Sequence, residues 1–299
     1  IHVPARARTE GRNQLVLDFS RADVRAELYL RISKILRETP VTYVKWDMNR
    51  HLTEVGSASL PPGRQQETAH RYVLGLYEIM GRFTRDFPHV LFEGCSGGGG
   101  RFDPGILAYM PQIWTSDNSD AITRLRIQYG TSLAYPFSTM AAHVSAVPNH
   151  QVGRVTPFRT RADVAFTGAF GYELDLGALG PEEKAEVQRQ TAFYKQVRPL
   201  LLSGDLYRLK SPFTSQEAAW MVVAADASEA LVTHVTVLAE PNAPHRSLKL
   251  RGLDPGKTYR VCTGDTGTTM AGDVLIHAGL HVPAAHADFV SHQWHLVAV

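Results

Sequence analysis

The sequence predicts an α/β protein: a (β/α)8 barrel whose first strands are missing from this chain, followed by a C-terminal antiparallel β-sandwich. Two observations support this fold class. Up to about residue 203, short apolar segments alternate with amphipathic segments of about 10 to 20 residues, which is the pattern of repeated βα units. From residue 204 onward, short strand-like segments follow one another between turns rich in Gly, Pro, Asp and Asn. We therefore expect two domains, residues 1–203 and 204–299.

Composition narrows the class of protein. The chain has 299 residues, of which 44% are hydrophobic and 20% charged, as in ordinary globular proteins. A net charge of +2 and the lack of a basic tract argue against nucleic-acid binding. No apolar run approaches the roughly 18 residues of a membrane helix. Cys95 and Cys262 stand far apart in segments of different character, which favours a reducing, cytoplasmic location over a disulfide framework.

Residues 1–203 contain six apolar segments that we interpret as parallel strands, each followed by a polar or helical stretch. Their composition is β-branched, aromatic and aliphatic. The alternation in Val41–Asn49 predicts a strand that is buried in the sheet and whose carboxyl end opens into a site. The predicted strands are Gln14–Phe19, Val41–Asn49, His89–Glu93, Gln112–Asp117, Ser138–Val144 and Ala169–Leu174. Apolar residues at helical spacing predict the helices between them. These helices are Val24–Leu36, Glu67–Thr84, Ala121–Tyr129 and Pro181–Leu202.

Four of these strands end in an acid: Asp18, Asp47, Glu93 and Asp117. In parallel sheets the site lies at the carboxyl ends of the strands. A doubly wound sheet would offer one crevice at a switch point, whereas a closed barrel brings all four acids to one mouth. A barrel needs eight strands, so we expect the first two to precede Ile1.

The C-terminal segment is predicted to be all β. Its strand candidates are Ala218–Ala225, Leu231–Leu238, Ser247–Leu250, Thr258–Val261, Val274–Ile276 and Gln293–Val299. No helical periodicity separates them. Such spacing indicates a small sandwich of two sheets.

Asp47 and Asp117 are the candidate catalytic pair, since each closes a strand behind a tryptophan. Two carboxylates facing one cleft can divide the work of glycoside hydrolysis between a nucleophile and a proton donor. Lys45, two residues before Asp47 and on the same face of the strand, favours the ionised form that a nucleophile needs. Asp117 has no charged neighbour on its strand, so we expect apolar surroundings there. Asp120 is the rival acid, but its place at a helix start suits capping.

The Gly-rich loop after the third strand, GCSGGGGRFD, lets backbone approach a ligand closely. It matches neither phosphate-binding motif, because it lacks GK[ST] and the G-x-G-x-x-G spacing. Cys95 in this loop has no evident His partner, so we interpret it as a pocket-lining contact rather than a nucleophile. His143 and His150 do not have the spacing of a zinc site, and we expect buried, hydrogen-bonded histidines there.

Seven motifs, in this order, resemble those of the α-galactosidases of glycoside hydrolase family 36, the group that also holds raffinose and stachyose synthases. They are GRNQLVLD, YVKWDMNR, CSGGGGRFD, WTSDNSDA, IQYGTS, HVSAVPNHQ and GAFGYELDL, and they cover about Val3 to Leu176. KWDMNR together with CSGGGGRFD is highly specific, whereas either acid alone would not be.

The resemblance implies a retaining α-galactosidase that removes terminal α-D-galactosyl residues from sugars such as melibiose and raffinose by double displacement. Asp47 would be the nucleophile and Asp117 the acid/base. The family's barrel is followed by a β-sandwich and preceded by a large β-sandwich domain. No metal or organic cofactor is implied, and bacterial members are often homotetramers.

The resemblance also implies four sugar-binding residues. Lys45 and Asn49 would hold galactose hydroxyls, and Arg12 and Cys95 would complete this part of the pocket. The paired-Asp motif of the family's first strand does not occur here, and neither does the second strand. We therefore expect an N-terminally truncated chain with weak or absent activity by itself.

Three other functions stay open on the sequence. A transglycosylase or an α-N-acetylgalactosaminidase of the same family would differ only in how water and the sugar's 2-substituent are treated. A non-catalytic sugar-binding fragment is possible because the barrel is incomplete, although both acids are present. A flavin- or nicotinamide-dependent barrel enzyme is the third alternative, although no phosphate site is recognisable.

Overall fold

A computed structural model of the chain describes residues 1, 3, 6–264 and 266–299. The chain falls into two compact units, Ile1–Asp117 and Asn118–Val299. None of the helices in the described part of the chain is both long and apolar enough to cross a membrane.

The first unit consists of βα units, as predicted. Its elements are α1 (Ala22–Glu38), β1 (Tyr43–Trp46), α2 (Thr68–Asp86), β2 (Leu91–Gly94), α3 (Pro104–Leu107) and β3 (Gln112–Trp114), with a 3₁₀ turn at Pro62–Glu67 before α2. β1 pairs with β2 and β2 with β3, both in parallel. The short helix α3 was not predicted from the periodicity, because one turn is too short to show a repeat.

One apolar core holds the first unit together. The stripe of α2 that the helical spacing predicted is buried, including Leu76, Ile79 and Phe83. Trp46 of β1 packs on this core, with its ring 5.8 Å from that of Phe83. The opposite side of β1 is therefore free to carry polar side chains.

The predicted strand Gln14–Phe19 is wrong. Gly11 and Gln14 form an isolated antiparallel bridge, and residues 15–19 are extended without a ladder. In the described part of the chain no strand lies beside them to complete one, and a strand exists only through its partner. Asp18 therefore has a local structural role, in which its carboxylate accepts hydrogen bonds from Ser20 and Ser57.

The second unit begins with further βα elements. They are α4 (Ala121–Thr131), β4 (Met140–Ser145), α5 (Phe158–Ala165), β5 (Ala169–Glu173) and α6 (Pro181–Ser203), with 3₁₀ turns at Phe137–Thr139 and Leu176–Ala178. β4 and β5 pair in parallel. Both strands and the helices α4 and α6 were predicted, whereas α5, of eight residues, was missed.

The remainder of the second unit is largely antiparallel β. Its elements are β6 (Asp205–Lys210), β7 (Glu217–Val223), β8 (Glu229–Thr236), β9 (Arg246–Leu248), β10 (Thr258–Thr263), β11 (Thr266–Ala271), α7 (Gly272–His277), β12 (Leu280–Val282) and β13 (Val290–Ala298). Six strands form one sheet in the order β11-β10-β13-β8-β7-β6, and β12 pairs with β9 in a second. Side chains from both sheets, such as Met221 and Leu248, share one core.

The predicted strand Val274–Ile276 is wrong, because these residues lie in the helix α7. Leu275 is fully buried between a half-exposed Val274 and a partly buried Ile276, so the three residues imitate the alternation of a strand. Asp273 in the first turn favours the helix instead.

The predicted boundary between domains at residues 203 and 204 stays a prediction. Secondary structure does change there, since α6 ends at Ser203 and β6 begins at Asp205. However, Val197 and Leu200 of α6 share a core with Trp220 and Val222 of β7. Packing therefore continues across the point where the type of element changes.

Candidate active site

Alternation along β1 places three polar side chains on one face. Tyr43 and Lys45 point to the more exposed side of the strand, and Asp47 directly follows it in the same alternation. Val44 and Trp46 point to the core. The shared face was predicted, but the prediction of a buried strand is wrong, since 45% of Tyr43 is exposed. Among the described residues of the first unit, β1 pairs with β2 alone, so its other edge has no strand beside it.

Asp47 is surrounded by hydrogen-bond donors. Asn49 Nδ2 donates to Asp47 Oδ2 at 2.7 Å, and the Cys95 thiol and the Met48 backbone N–H also donate. Burial by itself raises the pKa of Asp47, but these donors and the charge of Lys45 together lower it below the ordinary value. The carboxylate is therefore held in its ionised form.

The pKa of Cys95 shifts in the opposite direction, upward. It is buried at the end of β2, and burial raises the pKa of its thiol to about 11, with the nearby Asp47 carboxylate adding to the effect. A thiol that stays protonated is a hydrogen-bond donor and a poor nucleophile. This supports the interpretation of Cys95 as a contact residue.

Asp117 lies against a cation, contrary to the expectation of apolar surroundings. Arg12 Nη2 is 3.1 Å from Asp117 Oδ2, and Trp114 Nε1 donates to Asp117 Oδ1 at 3.1 Å. Local sequence pattern could not indicate this ion pair, because 105 residues separate the two partners along the chain.

A tight turn brings Arg12 to this place. Arg12 and Asn13 have φ of 50° and 57°, both in the left-handed region that residues other than glycine seldom adopt. The bridge between Gly11 and Gln14 closes the turn. Any side chain on Gly11 would meet the Asn49 backbone oxygen at 2.9 Å. Strained backbone of this kind is concentrated at functional sites.

A chain of contacts joins the two acids. Asn49 donates to Asp47 and accepts from Arg12 Nη1 at 3.0 Å, while Arg12 also pairs with Asp117. From the other side, the Lys45 ammonium lies 4.8 Å from the centre of the Trp114 ring, whose nitrogen donates to Asp117. The five polar residues and the indole thus form one cluster of contacts at the carboxyl ends of β1 and β3, and the space beside this cluster is the candidate site.

The Gly-rich loop closes one side of this space. Ser96 Oγ donates to the Met48 backbone oxygen at 3.1 Å, and the Gly99 N–H donates to the Thr115 oxygen at 3.1 Å. Gly98 has φ of +87°, and a Cβ there would lie 2.8 Å from Ser116 Cα. The loop is therefore packed against the backbone that carries Asp117.

Two other acids lie outside the line of contacts that runs from Asp47 through Asn49 and Arg12 to Asp117. Glu93 lies within β2 and is 1% exposed, below the site rather than at its mouth. Asp120 caps α4 by accepting from the Thr123 N–H at 2.9 Å, which confirms its predicted capping position.

Two contributing residues were not predicted from the sequence. Trp114 was noticed only as a neighbour of Asp117 along the strand. Arg101 ends the Gly-rich loop, and its Nη2 donates to the backbone oxygens of Trp46 at 3.0 Å and Cys95 at 2.6 Å. It thereby ties together the ends of β1 and β2. An arginine directly after four glycines was the available signal.

The two predicted histidines lie in the second unit. His143 is partly buried on β4, with its Nδ1 3.5 Å from Glu173 Oε2. His150 is exposed, so the prediction of a buried histidine is wrong there. Within the described residues no group of three or more His, Cys, Asp or Glu side chains is arranged to hold a metal ion.

Two family models match the chain. The Melibiase family model matches residues 1–204, and the model of the glycosyl hydrolase family 36 C-terminal domain matches residues 217–296. Together they cover most of the sequence.

Curated relatives match along the whole chain. The sequence is 59% identical over 299 residues to alpha-galactosidase AgaA of Geobacillus stearothermophilus, covering 100% of this chain and 41% of that protein. It is 46% identical to alpha-galactosidase Mel36A of Lactobacillus acidophilus, covering 100% and 40%. The chain therefore spans about two fifths of the length of these relatives.

Solved structures confirm the fold class. The crystal structure of AgaA matches with a TM-score of 0.95 at 60% identity, covering 100% of this chain and 41% of that one. An alpha-galactosidase structure from Lactobacillus brevis matches with a TM-score of 0.96 at 43% identity and the same coverage. Variants of AgaA have been crystallised in complex with raffinose and with stachyose.

Proposed function

The chain belongs to glycoside hydrolase family 36, and from this premise we propose that it carries the catalytic residues of a retaining α-galactosidase. Its substrates would be terminal α-D-galactosides such as melibiose and raffinose. The observation that carries the proposal is the chain of contacts from Asp47 through Asn49 and Arg12 to Asp117. It directs two carboxylates with different partners toward one space.

In the proposed mechanism, Asp47 attacks the anomeric carbon and forms a covalent galactosyl-enzyme. The hydrogen bonds that keep Asp47 ionised support this role. Asp117 protonates the departing glycosidic oxygen and then, as a base, removes a proton from the water that hydrolyses the intermediate. Trp114 and Arg12 hold its two oxygens in place.

Four side chains would bind the sugar. Lys45 and Arg12 bring cations and Asn49 an amide, all of them donors to hydroxyl oxygens, while Cys95, whose single S–H donates to Asp47, would offer its sulfur as a contact. Each lies within one or two contacts of a catalytic acid. This arrangement would orient galactose with its anomeric carbon toward Asp47.

The relatives add two kinds of support. The AgaA complexes with raffinose and stachyose carry substitutions of single aspartates, to Asn and to Ala respectively. Those two aspartates stand as far apart along that chain as Asp47 and Asp117 do here. This equal spacing favours the same pair in this sequence.

The proposal also covers the domain organisation, the cellular location and the oligomeric state of the protein. Residues 1–203 would form part of a catalytic barrel, and residues 204–299 would form a sandwich domain. The unpaired cysteines favour a cytoplasmic protein, and the family resemblance favours a homotetramer for the complete polypeptide.

The test is hydrolysis by the polypeptide that the whole gene encodes, compared with its Asp47→Ala and Asp117→Ala variants. We expect Asp47→Ala to lose at least roughly a thousandfold in kcat with 4-nitrophenyl α-D-galactoside. Asp117→Ala should lose far less on this substrate than on melibiose, because nitrophenolate leaves with little protonation.

A control and a stereochemical measurement complete the test. Glu67→Gln removes an exposed carboxylate paired with Arg64 and Arg71, and it should leave turnover unchanged. Proton NMR of the first product should show α-galactose, because double displacement retains configuration. First release of β-galactose, or full activity of Asp47→Ala, would contradict the proposal.

A further inference from the structure

A buried carboxylate below the candidate active site is not used by the proposed mechanism. Glu93 is the third of four residues in β2, and only 1% of it is exposed. Burying an ionised carboxylate is costly unless cations or hydrogen-bond donors surround it. The partners around Glu93 therefore indicate what its carboxylate does.

The partners come from the two strands beside β2. Register pairs Lys45 of β1 with Glu93, and Glu93 with Gln112 of β3. The Tyr43 hydroxyl and Gln112 Nε2 both donate to Glu93 Oε2, the latter at 2.6 Å. Gln112 Nε2 also lies 3.1 Å from the Tyr43 oxygen. Two neutral donors thus fix one oxygen of the carboxylate.

The other carboxylate oxygen faces a cation. Lys45 Nζ lies 3.6 Å from Glu93 Oε1, and the side chain of Lys45 is 38% exposed against 1% for Glu93. The Lys45 ammonium therefore lies between the buried Glu93 carboxylate and the solvent-exposed site. Its other neighbour is the Trp114 ring, at 4.8 Å.

A lysine side chain needs such an anchor to act at one position. It is a point charge on a flexible four-carbon stem, which samples many rotamers when nothing holds it. Here the carboxylate below and the indole beside it restrict the ammonium to one place. From that place its charge favours the ionised form of Asp47.

We propose that Glu93 is a positioning residue of the active site, whose buried carboxylate holds the Lys45 ammonium where it stabilises Asp47 and meets a sugar hydroxyl. The inference rests on the proposed function, because it assigns Glu93 a part in the same site. Glu93 touches neither the sugar nor the reacting atoms and acts only through Lys45.

A double-mutant cycle in the polypeptide encoded by the whole gene tests this inference. The variants are Glu93→Gln, Lys45→Met and the two combined, and Glu93→Gln keeps the shape of the side chain while removing its charge. We expect Glu93→Gln to lower kcat/KM for 4-nitrophenyl α-D-galactoside roughly tenfold or more when Lys45 is present. In the Lys45→Met background the same change should cost less than about twofold.

Binding gives a second readout that does not need turnover. The Kd for 1-deoxygalactonojirimycin, which has been bound to AgaA in a crystal, should follow the same pattern in calorimetry. Equal losses from Glu93→Gln in both backgrounds would mean a merely structural role and would overturn the inference. If Glu93→Gln does not fold, Glu93→Asp, which draws the carboxylate away from Lys45, takes its place in the cycle.

The parent protein and a control separate the two proposals. Turnover by the parent and its loss in Asp47→Ala support the proposed function whatever Glu93 does. A parent that neither turns over the galactoside nor binds the iminosugar overturns the function and the role of Glu93 with it. Glu67→Gln, which changes an exposed carboxylate of the same type, should leave the cycle's readouts within twofold of the parent.

Discussion

At the scale of single residues, the hydrogen bond between Cys95 and Asp47 joins a protonated thiol to an ionised carboxylate. Burial raises the pKa of each group, but Asp47 collects enough donors that its pKa falls below the ordinary value. For Cys95, burial outweighs the lowering effects of the Gly98 backbone and Lys45, the nearby Asp47 adds to it, and the pKa rises to about 11. The thiol therefore donates and the carboxylate accepts. The same depressed pKa of Asp47 contributes stability above the pKa of the unfolded chain, which is lost as pH falls through the folded value.

Removing the thiol should move the pH profile of the enzyme. Cys95→Ala deletes a donor that lowers the pKa of Asp47, so that pKa rises. Because a nucleophile must be ionised, the acidic limb of kcat/KM for 4-nitrophenyl α-D-galactoside should shift to higher pH. Cys95→Ser, whose hydroxyl still donates, should restore the parent limb.

The remaining cysteine provides the control. Cys262 lies on β10 in the second unit, away from Asp47 in the chain, and Cys262→Ser should leave the profile in place. An acidic limb that is the same in Cys95→Ala and the parent would show that the thiol does not tune Asp47.

At the scale of elements, the Gly-rich loop shows why glycine is needed at one position more than at its neighbour. Gly97 and Gly98 both have positive φ, of +54° and +87°. A Cβ at Gly97 would meet nothing within 4 Å, whereas one at Gly98 would lie 3.1 Å from the Asp117 backbone nitrogen and closer still to Ser116. Gly97 is therefore needed only for its backbone conformation, whereas Gly98 is needed also because a Cβ would not fit there.

This difference predicts unequal costs for two alanine substitutions. Gly97→Ala should lower the free energy of unfolding by about 1 kcal/mol, the cost of a left-handed residue. Gly98→Ala should cost about 3 kcal/mol, because the steric clash adds to the same strain. Urea unfolding of both variants measures the two values.

Activity should separate the same pair of variants. Gly98→Ala pushes the loop against the segment that carries Asp117, so its kcat should fall by more than about tenfold. Gly97→Ala should keep most of the kcat of the parent. Equal stabilities and equal turnover in the two variants would show that the close approach at Gly98 is unimportant.

At the scale of the whole molecule, the described part of the site is open to solvent. The side chains of Arg12 and Asp117 are 63% and 36% exposed, and that of Lys45 is 38% exposed. An open site leaves sugar hydroxyls in water and weakens every electrostatic contact with them. The chain also spans only about two fifths of its relatives.

The 299-residue chain by itself should therefore be a poor enzyme. We expect its kcat/KM for 4-nitrophenyl α-D-galactoside to be at least roughly a hundredfold below that of a full-length relative such as alpha-galactosidase AgaA, because exposed charges bind sugar hydroxyls weakly. Parallel assays of the two purified proteins, each checked for folding by circular dichroism, give the comparison. Equal activity would show that the described residues suffice.

Most helices and strands of the barrel segment could be predicted from the local spacing of apolar residues. The helices α1, α2, α4 and α6 and the strands β1 to β5 lie where periodicity placed them, because the spacing of apolar residues along an element is set by its own geometry. The errors came where local pattern is ambiguous. Gln14–Phe19 has strand composition without a partner strand, and Val274–Ile276 alternates like a strand within one turn of helix.

The candidate acids were also legible in the sequence, because residues that close neighbouring parallel strands meet at one edge of a sheet. Asp47 was found with Lys45 and Asn49 through their spacing of two along the strand. Asp117 was preferred to Asp120 through its place at a strand end, and Asp120 does cap a helix.

The partners of those acids were decided only by the tertiary structure. Arg12 reaches Asp117 across 105 residues because a left-handed turn aims it there, and Glu93 holds Lys45 because register sets the two side by side. Periodicity along a chain records which face a residue occupies. It does not record which distant side chain shares that face. The strength of an ion pair or a hydrogen bond depends on the distance between the two partners, their relative orientation and the surrounding dielectric, all of which the tertiary structure sets.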